Sequence, residues 1–149
     1  MYVDDITVND INFVVAHLCN KAIEELRVKF GNSFRYDTLS YLYNIPFRFF
    51  KTIKLKKTGE TVGLFGLVPL TDDSAGIFFL STEKLYEGNM FLFLRETKKQ
   101  IEIWNSKFEI LLDDCYKQNK SVIKWLRILG FKPTADEDKN FQIYQKVKK

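Results

Sequence analysis

Apolar residues recur at helical spacing near the start of this chain, at spacing two or in solid runs through its middle, and at helical spacing again in its second half. Over residues 10 to 30, Ile11, Val14, Val15, Leu18, Ala22 and Leu26 keep the 3.6-residue period, which predicts one long amphipathic helix. Gly31 and Asn32 supply its C-terminal stop. Ahead of it, residues 2 to 8 read as a short opening strand, with Thr7 or Asn9 placed to cap the helix. A shorter helix is predicted over residues 36 to 45, ending before Pro46 because the residue before a proline avoids helical geometry. The period then changes. Residues 49 to 56 alternate loosely, residues 57 to 60 form a Gly-containing turn, and residues 61 to 70 follow as a strand, which makes a hairpin. A second turn at residues 71 to 74 leads into residues 75 to 82 (AGIFFLST), apolar enough for a central strand.

Gly88 or Asn89 opens another helix, with Met90, Phe91, Leu94, Ile101 and Trp104 as its apolar positions. Residues 108 to 115 (FEILLDDC) read as a strand. The stretch 119 to 131 (NKSVIKWLRILGF) is a helix with both ends marked: Asn119 as N-cap and Gly130 as the left-handed residue past the C-terminus. Val122, Ile123, Leu126 and Leu129 share one face of it, and Lys120, Lys124 and Arg127 line the other. Residues 141 to 147 alternate as a closing strand. No repeat, linker or Pro/Gly-rich hinge divides the chain, so residues 1 to 149 are expected to form one domain. Three successive strands before alternating helices and strands predict an α/β fold with a mixed sheet, antiparallel early and with a parallel pair around the central helix.

Composition narrows the function classes. Hydrophobic residues make up 46% and charged residues 28%, as in an ordinary globular protein, and 14 Phe with 7 Tyr predict a core built on rings. The net charge of +4, from 23 Lys and Arg against 19 Asp and Glu, is mild and dispersed, which argues against a nucleic-acid interface. Cys19 and Cys115 stand far apart, and one histidine, His17, excludes a conventional His/Cys zinc site, so no metal is expected. Asp4 and Asp5 sit where a signal peptide needs a basic region, and no apolar run approaches the ~20 residues of a membrane helix. A cytoplasmic protein with reduced thiols and no membrane partner is the expectation.

The order of elements, and above all Asn119, Gly130 and Phe131 at their spacing, resembles the GNAT acetyltransferase fold, in which the fifth strand is followed by N-x-x-A-x-x-x-Y-x-x-x-G-F. Thr82, the triplet Phe93-Leu94-Arg95, Asn119 and Trp125-Leu126-Arg127-x-Leu129-Gly130-Phe131 most resemble small GNAT-like proteins encoded by bacteriophages, some of them lying among internal virion protein genes. The resemblance implies a central mixed sheet of about six to seven strands flanked by about four helices. It also implies transfer of acetyl from acetyl-CoA, a coenzyme A thioester, to an amine acceptor, in the host cytoplasm if the chain is phage-encoded. The alternative is a catalytically inactive GNAT-fold phage protein with a virion-associated or host-protein-binding role.

Two departures favour that alternative. Leu126 stands where many family members place a tyrosine that protonates the departing thiolate. The pyrophosphate loop, usually [Q/R]-x-x-G-x-[G/A], reads Leu85-Tyr86-Glu87-Gly88-Asn89-Met90, with one glycine kept. The implied cofactor residues are Leu80, Ser81 and Thr82, the amides of Gly88, Asn89 and Met90, and Asn119 with Lys124; Lys84 or Arg95 would supply charge at the loop. Candidate bases on or facing the apolar strand are Glu83, Asp72, Asp73, Glu24 and Tyr144, with Glu83 and Tyr144 taken as the catalytic pair. Cys115, without a local nucleophile motif, reads as a buried strand cysteine, and His17 as a structural residue.

Overall fold

The computed structural model describes all 149 residues. The chain runs β1 (Tyr2–Asp5), α1 (Val8–Ala16), α2 (Asn20–Phe30), α3 (Phe34–Tyr43), β2 (Phe50–Lys54), β3 (Thr61–Pro69) and β4 (Ser74–Ser81). It continues α4 (Met90–Lys107), β5 (Ile110–Tyr116), α5 (Lys120–Ile128), β6 (Lys132–Glu137) and β7 (Phe141–Val147). All seven strands form one mixed sheet in the order β1-β2-β3-β4-β5-β7-β6. Every neighbouring pair is antiparallel except β4 with β5, which are parallel and joined by the crossover helix α4. The predicted architecture, an antiparallel front and a parallel pair around a central helix, is the one observed.

Strand alternation separates two cores on opposite faces of the sheet. Phe65, Leu67 and Ile77 pack with Phe93 and Trp104 of α4, Trp125 and Leu126 of α5, and Leu129 just past its end. Phe50, Leu64 and Leu80 pack with Ile11 and Val14 of α1, Leu26 of α2 and Leu42 of α3. Both tryptophans belong to the first core. Trp125 Nε1 donates to Thr97 Oγ1 at 2.9 Å, and that hydroxyl donates to the Phe93 carbonyl at 2.7 Å, which ties α5 to α4.

The caps of α5 form as read. Asn119 accepts from the Val122 amide at 3.4 Å, and Gly130 has φ +96°. The amides of Gly130 and Phe131 donate to the carbonyls of Arg127 and Leu126, the paired bonds of a Schellman C-terminus.

Two expectations change. The single helix over residues 10 to 30 is two helices, broken at residues 17 to 19. There Leu18 bridges Thr82 in antiparallel fashion and the Cys19 amide donates to the Ser81 carbonyl at 2.9 Å. A local helical period was overridden by backbone pairing with the end of β4. Secondly, β6 had no sequence signal: it carries Pro133 and mostly exposed, charged residues, which suits an edge strand, and its register with β7 shifts between Pro133 and Glu137. No helix is long and apolar enough to cross a membrane.

Candidate active-site cleft between β4 and β5

The parallel seam is short. Pairing runs only from Ser74–Ile110 to Gly76–Leu112, after which β4 and β5 part. Beside the parting, the rings of Phe79, Phe93 and Trp125 form a triangle with centroids 5.2 to 5.5 Å apart. Phe79 also borders a cavity of about 510 Å³ in the opening, bounded by β4, β5 and the helices α2 and α3, with Asn119 and Val122 of α5 contributing as well.

The free edge of β4 faces this opening. The Thr82 amide donates to Val62 on β3, whereas the Ser81 carbonyl accepts from Cys19 on the other side. Antiparallel alternation therefore turns the backbone groups of Phe79, two residues before Ser81, away from β3 and toward β5. With β5 already diverged, no strand meets them. On the other face, Phe78 forms part of the cavity wall, edge-on to Phe50 at 5.1 Å. Gly66 makes that placement possible: a Cβ there would lie 2.5 Å from the Phe78 ring and 2.8 Å from the Phe49 carbonyl.

Parallel strands end at the same side of a sheet, so α4 and α5 begin together at the carboxyl ends of β4 and β5, where ligands bind in open α/β sheets. The two starts differ. Asn119 caps α5 with its side chain, while no side chain caps α4. The first-turn amides of α4 thus stay available to an anion. Gly88, at φ +78°, makes the turn into that helix.

The wall formed by α2 and β5 is acidic. Asp113 is only 8% exposed, and its carboxyl makes no hydrogen bond or ion pair with the protein. Burial foremost, then the nearby Glu25 carboxylate, pushes its pKa up to about 8, against an opposing pull from Lys29. Burial likewise raises Glu25. Cys115 is driven well above an ordinary thiol by burial and then by Asp113, which leaves it a poor nucleophile.

Of the residues singled out in the sequence, Leu80 and Asn119 come together in the cavity wall. Ser81 and Thr82 are buried just beyond, at the end of β4, and Gly88, Asn89 and Met90 form the start of α4 outside the cavity. Lys124 is exposed on α5. Glu83 and Tyr144 do not line the cavity. The Glu83 carboxylate accepts from the Asn20 amide at 2.8 Å and so serves the start of α2. Tyr144 is buried on β7, in register with Asp113, with the Arg127 guanidinium 5.9 Å above its ring. Asp72 and Asp73 are exposed in the β3–β4 turn, and Glu24 pairs with Lys21 at 2.9 Å on the surface. Leu126 is wholly buried in the core. The sequence reading missed Glu25, Thr38 and Asp113. A signal for Asp113 existed: side chains alternate along a strand, so two consecutive carboxylates cannot both lie on one face of the sheet.

No protein-family model matches the chain, and no curated protein matches it. Solved structures do. A GNAT-family acetyltransferase from Bacillus anthracis superposes with a TM-score of 0.72 at 10% identity, over 98% of this chain and 93% of that one. The chain has the GNAT fold. A ribosomal-protein-alanine N-acetyltransferase from Brucella melitensis gives a TM-score of 0.71 at 16% identity, covering 99% of both chains. A spermidine N-acetyltransferase from Vibrio cholerae, solved with CoA and spermine, gives 0.69 at 16% identity, over 98% of this chain and 94% of that one. In this GNAT fold the parted β4–β5 seam and the uncapped start of α4 are the features with chemical capacity.

Proposed function

We propose that the protein is an N-acetyltransferase that moves an acetyl group from acetyl-CoA to a primary amine. The observation that carries the reading is the parted seam, with an unpaired β4 edge on one side and a cavity of about 510 Å³ beside it. The residues suit an acyl-CoA thioester. Backbone groups of Phe79 are free to pair with the amides of an extended pantetheine arm, and the amides at the start of α4 suit a diphosphate. Asn119 has its side-chain oxygen committed to the Val122 amide, which leaves its NH₂ to donate into the cleft. In the reaction the amine nitrogen bonds to the thioester carbonyl carbon and the C–S bond breaks. The nitrogen, an ammonium at the start, gives up one proton to a base or water before attack and a second to the departing thiolate, and keeps the third in the amide. The chain's contribution is to hold the two reactants in line and to supply donors to the developing oxyanion.

The resemblance of residues 82 to 131 to phage-encoded proteins suggests action in a host cytoplasm. A second reading, a non-catalytic GNAT-fold protein that binds a host or virion protein, is favoured by Leu126, whose buried side chain has no proton to give where a tyrosine acid would stand. Thiol release from acetyl-CoA, measured with a panel of primary amines, tests between them. Amine-dependent release supports the transferase. Tight acetyl-CoA binding with no release from any amine selects the second reading.

A further inference from the structure

We infer that the α2–β5 side of the cleft is the acceptor pocket for a protonated primary amine carried on an apolar body, with Asp113 taking the amine's proton. This rests on the acetyltransferase reading and names its substrate class. The chain as a whole carries +4, yet Glu25, Asp113 and Asp114 gather on this wall with Lys29 as the cation that bears on them. Two buried polar groups bordering the cavity lack any protein partner. The hydroxyl of Thr38 on α3 is sealed from solvent with no partner, while the Asp113 carboxyl, on a residue 8% exposed, keeps an opening to solvent. Buried polar groups are normally satisfied within the fold, so an orphaned hydroxyl and an unpartnered carboxyl on one cavity point to a ligand with donors to give.

The groups around Asp113 favour a cation. Glu25 and Lys29 of α2 bear on it electrostatically, Asp114 and Cys115 flank it on β5, and Tyr144 lies opposite on β7 beneath Arg127 of α5. Glu25 and Asp114 both oppose ionisation of Asp113, a repulsion that a bound ammonium relieves. The rest of the pocket is apolar. Phe78 forms part of its wall, and Phe30, Tyr41 and Leu70 stand 38%, 48% and 57% exposed around it. A hydrocarbon or aromatic body suits these surfaces, and a polycation without one does not.

In the proton step an N–H bond of the ammonium breaks and its electron pair stays on nitrogen. The proton bonds to an Asp113 carboxylate oxygen, giving a neutral amine and a carboxylic acid. Burial holds the Asp113 carboxyl above an ordinary aspartate, which makes it the better acceptor for the proton of an alkylammonium.

The test is calorimetric titration of the full chain with 2-phenylethylamine, 2-phenylethanol and spermidine, and separately with acetyl-CoA. The expected result is amine binding at least 10-fold tighter than the alcohol and tighter than spermidine. Proton release should accompany it at pH 7, read from buffers of different ionisation enthalpy, because the incoming cation ionises Asp113. Asp113→Asn should abolish that release and weaken the amine at least 10-fold, with acetyl-CoA affinity unchanged. Glu25→Gln, a neutral isostere at a partly buried position, should weaken the amine about threefold. Equal binding of the alcohol, a preference for spermidine, or an Asp113→Asn loss that falls on acetyl-CoA instead overturns the inference. Amine binding as expected but without acetyl-CoA binding keeps the amine pocket and rejects the acetyltransferase reading.

Discussion

At the carboxyl end of β4 the cleft meets the uncapped backbone amides of α4, whereas along the α2–β5 wall it meets Glu25, Asp113 and Asp114. The first region gains by holding an anion, because a helix start concentrates donors and the positive end of the dipole. The second gains by holding a cation, because its carboxylates oppose one another's ionisation. A cleft with such ends can align an acyl-CoA diphosphate at one and an ammonium at the other. The two starts of helix sharpen the contrast. The first turn of α5 is served by Asn119, so α4 is the helix whose start keeps its amides free of a side-chain cap.

The largest expected effect tests the acidic side. Burial raises the folded pKa of Asp113 from the ordinary carboxylate value of 3.8 to about 8, so the native state holds a proton that the unfolded chain has released across that window. Stability therefore falls as pH rises from about 4 to about 8. Asp113→Asn removes the effect, and its stability advantage over the native chain should widen by up to about 1.4 kcal/mol per pH unit over that window. Thermal or urea unfolding at several pH values reads it, and parallel curves for the two proteins would contradict it.

The amide end is broken by charge. Asn89→Asp keeps a good N-cap residue while placing a carboxylate beside the diphosphate, so acetyl-CoA affinity should fall about 30-fold, roughly 2 kcal/mol, with the melting temperature held. Gly130→Val tests the capped helix by forcing a β-branched residue to φ +96°, at a cost of about 2 kcal/mol in unfolding free energy. The smallest change is Asn119→Asp. It preserves a cap oxygen and exchanges the NH₂ donor for a carboxylate oxygen on the cavity wall, so acetyl-CoA should weaken at least threefold with the helix cap kept.

Periodicity and capping chemistry are local, and they made most of the fold legible. Asn119 and Gly130 bounded α5 correctly because a cap is written within a few residues of itself. The break at residues 17 to 19 was not legible, since it depends on Cys19 and Leu18 meeting Ser81 and Thr82, more than sixty positions away. The site divides in the same way. Leu80 and Asn119, which the resemblance implied, both border the cavity. Glu25, Thr38 and Asp113 come from three separate elements that only the parted sheet brings to one cavity. Glu83 was chosen for nearness to β4 in sequence, and its carboxylate instead holds the start of α2.

The central claim is that the parted β4–β5 seam binds an acyl-CoA thioester. Calorimetric titration of the native chain with acetyl-CoA, repeated with Asn89→Asp, tests it most directly. The account predicts saturable one-to-one binding in the micromolar range, sharply weakened in the variant. No heat and no thermal shift at millimolar acetyl-CoA, or equal binding by both proteins, would contradict it.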